Sequence, residues 1–321
     1  MPTTLDFPSL LLAILLVSVC VGSLALWLAR WLAPRNLIQT QEPIPTWAIG
    51  WINFGIFICA LVVGVFVLQT YGFKLLSALD VISVPTFEDS SVPLDPDSNS
   101  DAELESPEAA AAEIEITPEL ALTSILLLHV PILLIILGLR RFYPGQFAGR
   151  YESNPLPWLK AMKRAVPNFL RYLPLIWIAG IIWNIILGIL ISVGIVDEAP
   201  PQELVEIFGM GGSPFVIGSL ALSAILLAPY VEEILFRGCI YRFFKTQTLL
   251  PFAQFISGVI FAAIHGNLAS FGPLIVVGIL LAHTYEREGS LRVSICFHAF
   301  FNAFSLTMIY LASQSEVVPL P

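Results

Sequence analysis

Residues 219–244 read SLALSAILLAPYVEEILFRGCIYRFF. The first half is the body of a membrane helix; the second half brings two adjacent glutamates, Glu232 and Glu233, and then Arg237. A carboxylate in hydrocarbon costs at least about 2.5–3.5 kcal/mol on insertion scales, so its presence points to a function. The rest of the chain supports the membrane reading. Hydrophobic residues make up 57% and charged residues 12%, where a soluble domain carries about 25% charged residues. The mean hydropathy is +0.83. The fold class this predicts is all-α, a polytopic membrane helical bundle.

A span needs about 20 apolar residues. Candidate spans lie near 9–33, 47–73, 120–139, 173–196, 214–236, 250–265, 272–284 and 291–312, about eight helices in all. The sixth and seventh are short and broken by Gly266, Asn267, Gly272 and Pro273, as partial or re-entrant segments would be. The N-terminal apolar run lacks a basic n-region and is too long for the h-region of a signal peptide, so it reads as a retained first span. Basic residues follow spans 1, 3 and 5 and separate spans 7 and 8. The positive-inside rule then makes those loops cytoplasmic and places both termini outside.

The net charge of −9 is concentrated in an insert at 86–118, rich in Pro, Ser, Asp and Glu. Such a composition buries too little apolar surface to order itself, and it reads as an external, solvated linker. No basic patch offers a footprint for nucleic acid. Cys20, Cys59, Cys239 and Cys296 lie far apart in apolar segments, a pattern that indicates neither a zinc cluster nor a disulfide framework. The organisation is therefore N-terminal membrane helices (1–85), the acidic insert (86–118), a further helix with a basic cytoplasmic loop (119–165), a C-terminal core of spans (166–312) and a tail (313–321).

Polar groups gather in the C-terminal spans. Glu233 and Arg237 are four apart, neighbours on one helical face, as are His298 and Asn302 in CFHAFFNAF. Glu232 points about 100° away from Glu233. At 1.5 Å per residue the glutamates lie about 14–15 Å from Arg242, His298 about 12 Å and Asn302 about 18 Å from Ser290, and His265 about 21 Å from Pro251. These groups can converge at one depth. His129 and His283, alone in their spans, read as hydrogen-bonded packing residues. Carboxylate and imidazole can hold a water and remove its proton, with His and Asn donors stabilising an oxyanion. The alternative is zinc held by Glu232, His265 and His298. Either scheme is hydrolysis of a peptide or ester. No G-x-S-x-G and no H-E-x-x-H occurs.

At these residues the chain resembles the CAAX-protease and bacteriocin-processing (CPBP or Abi) family of intramembrane proteases, which includes the type II CAAX prenyl endopeptidases. EEILFR is similar to the family's E-E-x-x-x-R motif, FAAIH to F-x-x-x-H and HAFFN to H-x-x-x-N. The resemblance covers roughly 170–312. It implies a helical core with a cavity open to the cytoplasmic side of a plasma-membrane protein, and a membrane-associated peptide or protein substrate in the lipid bilayer. It also implies roles: Glu232 as the base that activates water, Glu233 and Arg237 orienting the site, His265 holding the water, and His298 with Asn302 holding water or stabilising the oxyanion. Members are described both as metalloproteases and as metal-independent glutamate proteases, so zinc is either absent or bound. A non-enzymatic immunity or scaffold protein of the same fold and a proton-coupled transporter are the competing readings, the latter weakened by the lack of an inverted repeat.

Overall fold

The computed structural model describes residues 6–32, 44–79, 117–144, 151–152, 156–197 and 213–314. The acidic insert falls almost wholly outside these residues, as do the segment 198–212 and most of the C-terminal tail. The described residues form eight helices: α1 Phe7–Leu32, α2 Trp51–Ala78, α3 Pro118–Phe142, α4 Trp158–Ser192, α5 Pro214–Gln247, α6 Leu250–Ile264, α7 Leu268–Glu288 and α8 Leu291–Ser313. All but α6 are long and apolar enough to cross a membrane. The chain is a multi-pass helical membrane protein. At 15 residues, α6 spans only about 22 Å of a hydrocarbon layer about 30 Å thick.

Three helices depart from the spans expected of them. Helix α4 begins at Trp158 rather than near 173, because Lys160, Lys163 and Arg164 belong to its first turns instead of to a loop. Helix α5 runs on to Gln247 rather than stopping at residue 236. Arg237 and Arg242 are buried inside it, 0% and 2% exposed. Arg242 stays there because its guanidinium donates to Pro45 O at 2.6 Å, Gly238 O at 3.2 Å and Thr46 O at 3.2 Å. Helix α7 begins at Leu268, four residues before the expected 272. Asn267 caps it by accepting from the Ser270 N–H at 2.9 Å, so Gly272 and Pro273 sit within the helix rather than breaking it. Gly272 serves contact instead: a Cβ there would lie 2.5 Å from the Trp183 ring.

Two π-helical turns interrupt α5, Ser223–Leu227 and Phe236–Tyr241. They bracket the α-helical stretch Ala228–Leu235 that carries both glutamates. π turns of this kind are frequent at functional sites. Opposite this stretch, α6 and α7 form a tight hairpin. A Cβ on Gly278 would come within 2.6 Å of Gly258 Cα, and one on Gly258 within 2.8 Å of Ile275 O. Small residues at such crossings let helix backbones approach closely inside a membrane. The hairpin turns at Gly266, whose φ of +63° suits a residue without a Cβ.

The bundle is polarised. Of the 13 lysines and arginines among the described residues, all but Lys74 lie in the closing half of α1, α3, α5 or α7 or in the opening half of α4 or α8.

Candidate active site

Glu233 is fully buried and surrounded by donors. Arg237 Nη1 approaches its Oε1 at 2.8 Å, Ser294 donates to its Oε2 at 2.6 Å, and His298 Nδ1 meets Oε1 at 3.0 Å. Arg237 also donates to Gly278 O at 2.9 Å and lies 4.8 Å from the centre of the Phe261 ring. The four-residue spacing therefore makes the expected pair, and its other partners come from α7 and α8. A buried ion pair of this kind is tolerated only when further hydrogen bonds satisfy both charges.

Glu232, turned away from Glu233, faces α3. Its Oε1 is 3.2 Å from Nε2 of His129, whose Nδ1 donates to Ile125 O at 2.8 Å. A carbonyl only accepts, so Nδ1 carries a hydrogen. A hydrogen bond at Nε2 then needs a further proton, shared between imidazole and carboxylate. Glu232 Oε2 is buried and makes no hydrogen bond among the described residues. It lies 3.8 Å from His298 Nε2. Nδ1 of His298 donates to the Glu233 carboxylate, and in a neutral ring that hydrogen leaves Nε2 as the accepting nitrogen.

His129 is thus a correction to the sequence reading, which left it as a packing residue and confined the site to 166–312. The signal that could have found it is depth. At 1.5 Å per residue His129 lies about 16 Å from Arg140, and Glu232 about 15 Å from Arg242. His283 stays apart from the site, edge-on to Tyr172 at 6.1 Å.

His265 ends α6. Its Nδ1 donates to Phe261 O at 2.7 Å, and its ring lies 4.6 Å from that of Phe261. Asn302 donates one amide hydrogen to Ala224 O at 2.8 Å, a carbonyl in the first π turn. A cavity of about 740 Å³ joins these groups: Glu232, His129, His265, His298 and Asn302 all line it. Glu233 and Arg237 lie behind the cavity wall, with both side chains fully buried. Of the six expected site residues, four face the cavity and two hold the wall.

Zinc needs ligands about 2.0–2.2 Å from one point. Among the described residues, no group of three His, Cys, Asp or Glu side chains is placed to hold a metal ion. The expected set of Glu232, His265 and His298 does not fit such an ion as it stands.

The cavity also runs in an unexpected direction. The resemblance implies a mouth on the cytoplasmic, arginine-rich side. Yet the lining continues from Glu232 to Ala228 and Ala224, from His298 to Leu306 and Ile309, and from His129 to Ala121. On α5, α8 and α3 alike, this is movement away from the basic ends.

The family model "Type II CAAX prenyl endopeptidase Rce1-like" matches residues 214–304. The "Putative membrane peptidase YdiL" of Bacillus subtilis (strain 168) is 32% identical over 101 residues, 30% of this chain. The chain spans 41% of that relative's length. No solved structure matches. Residues 214–304, and with them the helices that carry Glu232, Glu233, Arg237, His265, His298 and Asn302, therefore match the family of type II CAAX prenyl endopeptidase Rce1-like proteins.

Proposed function

We propose that the protein is an intramembrane endopeptidase that cleaves membrane-associated polypeptides with a water activated by Glu232. One observation carries this reading. Glu232 Oε2 and His298 Nε2 face each other 3.8 Å apart on the cavity wall, two acceptors when the imidazole is neutral. That separation is too long for a direct hydrogen bond and suits a water that donates one hydrogen to each. The oxygen lone pairs of such a water face the cavity, where a peptide carbonyl would lie.

In the proposed step the water oxygen bonds to the carbonyl carbon as its proton passes to Glu232. The second N–H of the Asn302 amide is available to the developing oxyanion. Collapse of the tetrahedral species breaks the C–N bond, and Glu232 returns the proton to the leaving nitrogen. His265, with Nδ1 held by Phe261 O, offers an accepting Nε2 to the water or to a substrate N–H. Glu233 and Arg237 are positioning residues that act through His298.

The membrane-peptidase name of the Bacillus relative and the endopeptidase family model support the reaction class. Whether the substrate carries a prenyl group is a separate matter, and nothing in the lining calls for one. The test is hydrolysis of a quenched peptide library by purified protein in detergent. Cleavage abolished by Glu232→Gln supports the proposal. Absence of cleavage, with proton-driven uptake in vesicles, would favour a transporter instead.

A further inference from the structure

On the basic side the glutamates are sealed. Glu233, Arg237, Ser294, Tyr241, Leu281 and Tyr285 are each 0% exposed and fill the bundle between the glutamates and the arginine-bearing ends. On the other side the structure opens. His265 and Gly266 at the hairpin tip are exposed, and Ser124, Asn302 and Ser305 are partly exposed. The short α6 contributes to this opening: its tip lines the cavity wall, about 22 Å from the start of the helix.

The polarity of the two sides follows from charge. Twelve of the 13 basic residues among the described residues belong to the sealed side, since only Lys74 lies at the other end of its helix. A bias of this size sets the sealed side in the cytoplasm. From Glu232 outward the walls are mostly apolar, with Ala121, Ile125, Ala228, Leu306 and Ile309 among them.

From these two observations we infer that the active-site cavity is entered from the non-cytoplasmic half of the membrane. Its substrates are then apolar, weakly charged segments of membrane-anchored polypeptides that lie on or near the outer face. A prenylated C-terminus presented from the cytoplasm meets the sealed wall instead. This substrate class rests on the peptidase reading, while the direction of entry does not.

The test uses full-length protein in which Cys20 and Cys59, the two exposed cysteines, are replaced by serine. Lys163→Cys and Lys74→Cys, both at exposed positions on opposite ends of the bundle, mark the two sides of oriented membrane vesicles. Ser305→Cys, a near-isosteric change on the cavity wall, reports entry. A membrane-impermeant maleimide is expected to label Ser305→Cys in the vesicles that label Lys74→Cys, with labelling lost in the opposite orientation. Labelling together with Lys163→Cys, or in neither orientation, overturns the inference. A peptide cleaved in detergent is expected to be hydrolysed from the Lys74 side of sealed vesicles, and preference for the Lys163 side overturns the substrate class. If Ser305→Cys labels from the Lys74 side while purified protein cleaves nothing, the direction of entry stands and the peptidase reading falls.

Discussion

His298 donates its Nδ1 hydrogen to Glu233 at 3.0 Å and turns its Nε2 toward Glu232, 3.8 Å away. The two adjacent glutamates thus meet opposite edges of one imidazole. Glu233 fixes the tautomer, and Glu232 shares with that ring the space where a water would bind.

The wall behind the site depends on Arg237. Removing one partner of a buried pair costs about 3–5 kcal/mol, because the other charge is left uncompensated. Arg237→Ala is expected to lower the unfolding temperature in detergent markedly and to abolish activity with it. An unchanged unfolding temperature would contradict the burial of this pair.

His129 has a different expected signature. It bonds Glu232 and Ile125 O of its own helix, and is not among the hydrogen-bond partners of Glu233. A hydrogen bond to a charged group is worth about 1.5–3 kcal/mol, roughly ten- to hundredfold in rate. His129→Leu is expected to lower kcat by about that much with KM little changed. His129→Gln, whose amide nitrogen can reach a similar position, is expected to recover part of the loss. Equal kcat in all three proteins would show that His129 only packs.

The α6–α7 crossing sets the position of His265. A Cβ added at Gly258 meets backbone, Ile275 O at 2.8 Å, which has little freedom to move. Gly258→Ala is expected to cost about 1–3 kcal/mol, the usual range for overpacking. Gly218, where a Cβ would meet nothing within 4 Å, is the matched control. Gly218→Ala is expected to be neutral or to stabilise by up to about 1 kcal/mol, as read by thermal unfolding.

Metal dependence is checked by elemental analysis of active protein and by chelation. The geometry around Glu232 predicts hydrolysis that survives chelation. Stoichiometric zinc, with activity lost to a chelator and restored by zinc, would contradict it.

Much of this site was legible along the chain because its contacts are local. Four-residue spacing on a helix brings Glu233 to Arg237, and an apolar run around two carboxylates marks a cost that function must justify. The break at Gly266 and Asn267 marked the end of a short α6, whereas the seventh span, expected to be short and broken as well, is the full-length α7. What escaped was set by contacts between helices. His129 gains its role only because α3 packs against α5, and no local spacing records that packing. Arg237 and Arg242 looked like the end of a span, yet carbonyls from Pro45, Thr46, Gly238 and Gly278 let both remain buried. The direction of the cavity depends on which ends of five helices are packed and which stand apart, and composition is blind to that.

The central claim is that Glu232 is the base. Glu232→Gln keeps the size of the side chain and a hydrogen-bonding group beside His129, and removes the basicity. Peptide hydrolysis by the purified variant, measured next to its unfolding temperature, tests the claim most directly. The account predicts cleavage reduced to background at an unchanged unfolding temperature. Turnover like that of the unmodified protein would contradict it.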